Sequence, residues 1–329
     1  MSISVASARS RWTEKQQKDP LFAAIDGSNC PDLPQEAKSS HSLLLDRGLF
    51  RIALAWPPIN VQPEFRIEVL RDPTGCNKGQ TISVYRRPRI AANLKHVVAG
   101  PTGMSFMADS REASLRAQAI NAAMIHEEAP APTPEQLRQI IDFETQIYVA
   151  QSSDIRGGLL DEKAGPGSLG PENLSAAASG LPAAFSFDVW KKRTSEGVQS
   201  EFRASVARGS EVFFARCASC HKTGTTRWMD IGTTNIDSSP DFPLFRVTCE
   251  SSRRVVYTQD PGRALISGKC ADVGSIVVPQ LRGLAARAPY FSNGSAMTLR
   301  DVVEFYEKRF GIRCTEQEKQ DLVNFLSAL

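Results

Sequence analysis

One pentapeptide constrains this chain more than any other part of it: Cys217-Ala218-Ser219-Cys220-His221, a Cys-x-x-Cys-His run. Cysteines three apart beside a helix end lie about one turn from each other. That is the reach needed for two thioether bonds to the vinyl groups of one haem, and the adjoining histidine then falls beneath the iron. The run therefore reads as the attachment site of one covalently bound haem c, with Cys217 and Cys220 as anchors and His221 as proximal iron ligand. A zinc half-site would need a second pair of ligands at similar spacing, whereas the other cysteines are isolated and the other histidines are His41, His96 and His126. A thioredoxin-like pair would follow a strand in a βαβ unit, and here an amphipathic segment from Glu201 to Cys217 runs into the motif.

Composition narrows the remaining choices. With 329 residues, 41% hydrophobic and 23% charged, the chain matches an ordinary globular protein of about two domains. A net charge of +3, from 39 Lys and Arg against 36 Asp and Glu, falls far short of a phosphate-binding surface, so no nucleic acid partner is expected. The most apolar stretch, Leu43 to Trp56, is cut by Asp46, Arg47 and Arg51, so no transmembrane segment is expected. The first twenty residues lack the apolar core of a secretory signal, so an export sequence is expected to be missing from this chain.

Periodicity divides the chain into a polar arm (1–20), a region of mixed character (21–150), a Gly-, Ser- and Pro-rich linker or long loop (151–200) and a helical region carrying the motif (201–329). Short strands are expected at Leu49 to Ala55, Phe65 to Leu70 and Thr81 to Tyr85. Helices are expected from Leu115, from the capping box Thr133-Pro134-Glu135-Gln136, from Thr298 and from Thr315-x-x-Glu318. Lys222 to Ala288 reads as a long loop.

The segments Val278-Pro279-Gln280-Leu281-Arg282-Gly283-Leu284, Ala288-Pro289-Tyr290-Phe291-Ser292-Asn293-Gly294 and Thr298-Leu299-Arg300-Asp301-Val302-Val303, with the haem motif, resemble the haem-bearing C-terminal domain of bacterial di-haem cytochrome c peroxidases. They also resemble the related methylamine-utilisation (MauG-like) haem enzymes. The likeness covers about Glu201 to Leu329. The first half is similar to that family's other domain through Met107-Ala108-Asp109-Ser110-Arg111-Glu112 and the helix after it. The resemblance implies a mainly α fold of two cytochrome c-like domains with long loops, the N-terminal one degenerate and bearing some short strands.

The departures are informative. The family's second Cys-x-x-Cys-His is absent: near Pro73-Thr74-Gly75-Cys76-Asn77 one cysteine remains and no histidine. The peroxidases' inter-haem tryptophan aligns with Ala108, and a carboxylate beside the peroxide site would fall at Glu127 or Glu128. The peroxidases' axial methionine aligns with Tyr306, as in the methylamine-utilisation branch, so Tyr306 is the implied sixth ligand, a core tyrosine packed on the haem edge being the other reading. Met297 is the alternative ligand, and Ser292 stands where the family usually has histidine.

Of the remaining cysteines, Cys249 and Cys270 flank one loop and Cys30 and Cys76 lie in the other half. The simplest pairing gives two disulfides with Cys314 left over, in an oxidising compartment, with buried free thiols as the alternative. Arg282 suits a haem propionate, or is solvated. The expectation is a mono-haem cytochrome of the periplasm, or otherwise exported, exchanging electrons with a small cytochrome or redox enzyme. Alternatives are a peroxidase or oxygenase with an open or Tyr-ligated haem, and a haem-bearing subunit of a larger redox complex.

Overall fold

The structure, a computed structural model, describes residues 4–22, 38–98, 106–126, 129–177, 187–191, 196–221, 228–235 and 239–329. Cys30, Glu127 and Glu128 lie outside them. Helices predominate over short strands.

The main core is built on the crossing of two helices, Val198–Arg216 and Glu316–Ala328. Their backbones touch because Gly209 has no side chain: a β-carbon there would sit 2.0 Å from the carbonyl oxygen of Asp321. Around this point Phe202, Val206, Phe213, Leu322, Phe325 and Leu326 interlock as one buried cluster. A buried polar knot fixes the register. The Asp321 carboxylate accepts from the Ser205 hydroxyl at 2.6 Å and from Nε and Nη2 of Arg208, each at 2.8 Å.

The expected helix starts hold where a capping residue marks them. Thr133, Thr298 and Thr315 each accept from the backbone three residues on, and the side chain at that third position returns the bond to the cap. The expected strands form as Phe50–Ala55, Phe65–Arg71 and Thr81–Arg86.

Three features differ from the sequence reading. The polar arm folds into a helix, Val5–Lys15, capped by Ser4, and its Trp12 packs edge-on against Phe22 at 5.0 Å. The stretch read as a linker is tied into the main core over its described residues, with Leu160, Leu169, Phe187 and Trp190 buried there. Its glycines and prolines mask a few well-spaced apolar anchors.

The third difference lies in the loop after the motif. It contains strands Leu244–Cys249 and Val255–Thr258, and the first of these also pairs antiparallel with Phe65–Arg71 of the N-terminal half. The two halves therefore share one three-stranded sheet, with Leu244–Cys249 in the middle. Beside it, buried Arg86 donates to Asp260 at 2.6 and 2.8 Å and to Asp109 at 2.6 Å, tying a third strand end to both halves. Cys249 and Cys270 form a disulfide, Cys76 is also disulfide-bonded, and Cys314 is reduced.

Candidate functional site

The long helix ends at the motif. Its last turn is continued by bonds from the Cys217 and Ala218 amides to the Phe213 carbonyl, and a further turn follows as the Cys220 and His221 amides donate to the Cys217 carbonyl. This winding puts the two thiols on one side, three residues apart. Both cysteines are reduced and half-buried.

They open into a cavity of about 220 Å³ whose lining includes Cys217, Cys220, His221, Tyr306 and Cys314. One wall is the long helix with Val212 and Phe213; a second is helix Leu299–Phe310, whose Leu299, Val302, Val303 and Tyr306 point inward. Leu322 and Leu326 close the floor between them, and Ile276, Val277 and the loop 281–292 add further apolar surface. The N-terminal half supplies Arg87, Pro88, Arg89 and Ala108, the last held by a bond from the Val277 amide to its carbonyl at 2.9 Å.

His221 and Tyr306 face each other in this cavity. Nε2 of the imidazole lies 3.5 Å from the tyrosine hydroxyl, and Nδ1 is buried with no hydrogen-bond partner. Burial pushes the imidazole's pKa down and the Tyr306 phenol's up, the latter reinforced by the neighbouring Cys217 and Cys220. Both groups are thus driven towards their neutral forms, and a cation placed between them would reverse the direction for the phenol. The Cys217 thiol is pushed up to about 11 by burial and by the nearby Cys314.

Tyr306 sits in an aromatic cradle. Phe310 stacks on it at 5.7 Å and 22°, while Phe305 and Phe291 approach at 5.9 and 6.2 Å. Phe291 adopts φ +66°, a left-handed conformation rare for a bulky residue, and packs on Phe305 at 4.9 Å. Phe310 stays partly exposed, so the inward stripe of its helix fades at the C-terminal end.

The structure brings together Cys217, Cys220, His221 and Tyr306, and leaves two other candidates apart. Met297 is 60% exposed, its amide bonded to Asp301 at the helix cap, and it does not line the cavity. Arg282 is buried, its Nη1 donating to the Ser168 carbonyl at 2.9 Å, and it too lies outside the lining; neither the propionate reading nor the solvated one describes it.

Sequence reasoning passed over Arg87, Arg89 and Arg287, which do line the cavity. Burial lowers all three guanidiniums, Arg87 and Arg89 to about 10, and the positive charge of Arg287 adds to the effect on both. The signal available was Arg287 itself, inside the segment Ala286-Arg287-Ala288-Pro289-Tyr290.

No family model matches the chain. A cytochrome-c peroxidase IdrP1 of Pseudomonas sp. (strain SCT) is 28% identical over 162 residues, which cover 42% of this chain and 43% of that protein. The protein of the same name in Denitromonas iodatirespirans is 27% identical over 168 residues, 44% of each chain. The chain spans less than half the length of these curated relatives. Among solved structures, a MauG-like protein associated with microbial copper homeostasis superposes with a TM-score of 0.45 at 19% identity, over 75% of this chain and 74% of that one. Hydrazine synthase of Kuenenia stuttgartiensis gives 0.42 at 14% identity, over 100% and 93%.

Proposed function

We propose that the chain is a c-type haem protein of the cytochrome c peroxidase kind that works in electron transfer outside the cytoplasm, with one haem fixed to Cys217 and Cys220 and its iron held by His221 and Tyr306. The observation that carries this reading is the pairing of the His221 imidazole with the Tyr306 hydroxyl at 3.5 Å, in an apolar cavity whose wall also holds two reduced thiols in the attachment spacing.

The residues present fit such a group. The walls offer apolar surface to a porphyrin, the thiols are unpaired, and the buried guanidiniums of Arg87, Arg89 and Arg287 answer a group that carries negative charge. Met297 is 60% exposed and outside the cavity, which favours Tyr306 as the second residue that would hold the iron. When bound, a haem supplies one-electron chemistry at its iron. The chain's own residues do the rest: the end of helix Val198–Arg216 presents both anchors and the imidazole, Tyr306 would be the second residue to hold the iron, and the N-terminal half adds Pro88 and Ala108 to the wall. A small cytochrome or a redox enzyme would be the electron partner.

A second reading, a peroxidase whose Tyr306 yields its place to peroxide, is favoured by the likeness to proteins named cytochrome-c peroxidase. The test is low-temperature EPR of the ferric protein, produced with haem-attachment machinery, before and after hydrogen peroxide. A low-spin signal that peroxide leaves unchanged supports electron transfer, and a high-spin signal that peroxide alters supports the enzyme. A mass equal to the bare polypeptide overturns both.

A further inference from the structure

We propose that Arg287, together with Arg87 and Arg89, forms a carboxylate clamp in the cavity wall that takes the propionates of the porphyrin; the inference rests on the haem reading above. All three residues line the cavity that holds the thiols and His221. They arrive from different elements: Arg87 and Arg89 from the end of strand Thr81–Arg86 in the N-terminal half, and Arg287 from the loop before helix Leu299–Phe310. The thiols come from another element again, the end of the long helix.

Their hydrogen bonds explain the placement. Arg87 donates from Nη1 to the carbonyls of Arg47 and Gly48, at 3.4 and 3.3 Å, and from Nη2 to the carbonyl of Arg287 at 3.0 Å. It thereby fixes the backbone from which the Arg287 side chain departs. Arg89 donates to the Met107 carbonyl at 3.2 Å. Arg287 itself has two buried nitrogens, Nε and Nη1, with no partner.

The charge is unmatched among the described residues. The other charged groups of the wall are paired, Arg216 with Glu318 at 2.7 Å and Glu307 with Lys319 at 2.9 Å. No carboxylate pairs with Arg87, Arg89 or Arg287. The Tyr290 phenol, which feels the charges of Arg287 and Arg87, is pushed up by burial and stays protonated at neutral pH. Three like charges, dehydrated and held together, are unfavourable unless an anion joins them. A guanidinium fork matches a carboxylate in two parallel bonds, and Arg287 keeps two nitrogens for one while Arg87 and Arg89 add charge beside it. A porphyrin anchored through its vinyl edge carries its two carboxylates on the other edge, so one ligand satisfies both the thiols and the clamp.

The experiment uses the haem-loaded chain and Arg287→Gln, Arg89→Gln and Arg287→Lys. Haem content is read by the pyridine haemochrome assay, the propionate environment by the resonance Raman propionate bending band, and the midpoint potential by spectroelectrochemistry. The expected result is full haem content throughout, a shifted band and a lower potential in both Gln variants, and recovery of the potential but not of the band in Arg287→Lys, which restores charge without the fork. Full haem content with band and potential unchanged in both Gln variants overturns the clamp and leaves the haem reading standing. A wild-type potential that moves with millimolar chloride or acetate, and no longer does so in Arg287→Gln, also overturns it, because the site then takes a free anion. Should Arg287→Gln fail to fold by circular dichroism, Arg89→Gln decides alone. A wild-type chain without haem overturns both readings and is recognised by the haemochrome assay.

Discussion

The hydroxyl of Tyr306 and Nε2 of His221 stand 3.5 Å apart, on separate elements that meet in one cavity. One comes from the turn that ends the long helix and the other from the middle of helix Leu299–Phe310, 85 residues later. The phenol's surroundings are aromatic on three sides and hold it protonated in the absence of a cation. Were a haem bound here, His221 and Tyr306 are the residues that would hold its iron, and the iron's positive charge would favour the phenolate form of Tyr306.

Tyr306→Phe keeps the ring and its packing and removes the oxygen alone. The ferric optical and EPR spectra of the haem-loaded variant are expected to change and its reduction potential to rise, since a tyrosinate favours the oxidised metal. An unchanged spectrum would remove Tyr306 from the ligand set.

Gly209→Ala sets two effects against each other. Alanine favours a helix over glycine by about 1 kcal/mol, but its β-carbon would meet the Asp321 carbonyl at 2.0 Å. The helices must separate, and overpacking of this sort costs about 1–3 kcal/mol. The variant is expected to unfold at a lower urea concentration than wild type; an unchanged or higher midpoint would mean that the crossing is looser than described.

Much of this site was legible in the sequence. Cys217, Cys220 and His221 stand out by their spacing and do line one cavity, and Thr298 with Asp301 marks the start of the helix that carries Tyr306. What stayed hidden is what depends on distant partners. Leu244 to Cys249 alternates in burial as a strand should, yet it lies in a stretch rich in glycine and proline, and its partner Phe65–Arg71 is far away in sequence. Arg86, Arg87 and Arg89 drew no reading from the sequence, and the fold turns them inward, Arg86 into a buried ion pair and the other two into the cavity wall. Arg282 and Arg287 lie five residues apart, and the loop between them turns the first towards the Ser168 carbonyl and the second, which had no assigned role, towards the cavity.

The Asp321 knot makes stability depend on acid. Burial alone would raise this carboxyl, but hydrogen bonds from Arg208, Ser205 and Gln317 outweigh it and hold the group below the usual carboxylate range. A depressed folded value means that the stabilisation is complete above the unfolded pKa of about 3.9 and is lost as pH falls through the lower folded value. Asp321→Asn is expected to cost about 1–3 kcal/mol at neutral pH and to flatten the loss of stability below about pH 4. Parallel acid titrations of the two proteins, followed by circular dichroism, check both points.

Arg86 is buried between Asp109 and Asp260. Burial opposes its charge, but the two carboxylates outweigh that and raise its pKa. Arg86→Gln leaves Asp260 without its cation and Asp109 with Arg111 alone, at 3.4 Å, and breaking a buried pair in this way costs about 3–5 kcal/mol. A denaturation midpoint within error of wild type would show that the network relaxes without it.

Reducing the Cys249–Cys270 disulfide, which closes 21 residues, is expected to cost about 3 kcal/mol. It is tested by comparing thermal unfolding of Cys249→Ser/Cys270→Ser with that of the oxidised chain. The motif thiols are spared by the substitution, so haem content serves as the internal control.

The shared sheet makes the two halves poor candidates for independent life. Strand Leu244–Cys249 has Val255–Thr258 on one side and Phe65–Arg71 on the other, so a fragment beginning after the N-terminal half would expose a row of unpaired amides and carbonyls along a six-residue strand. Such an edge is a template for any extended chain it meets. Cut there, this protein would trade an internal seam for a sticky border, and its fragments would cling to one another before they could accept a porphyrin.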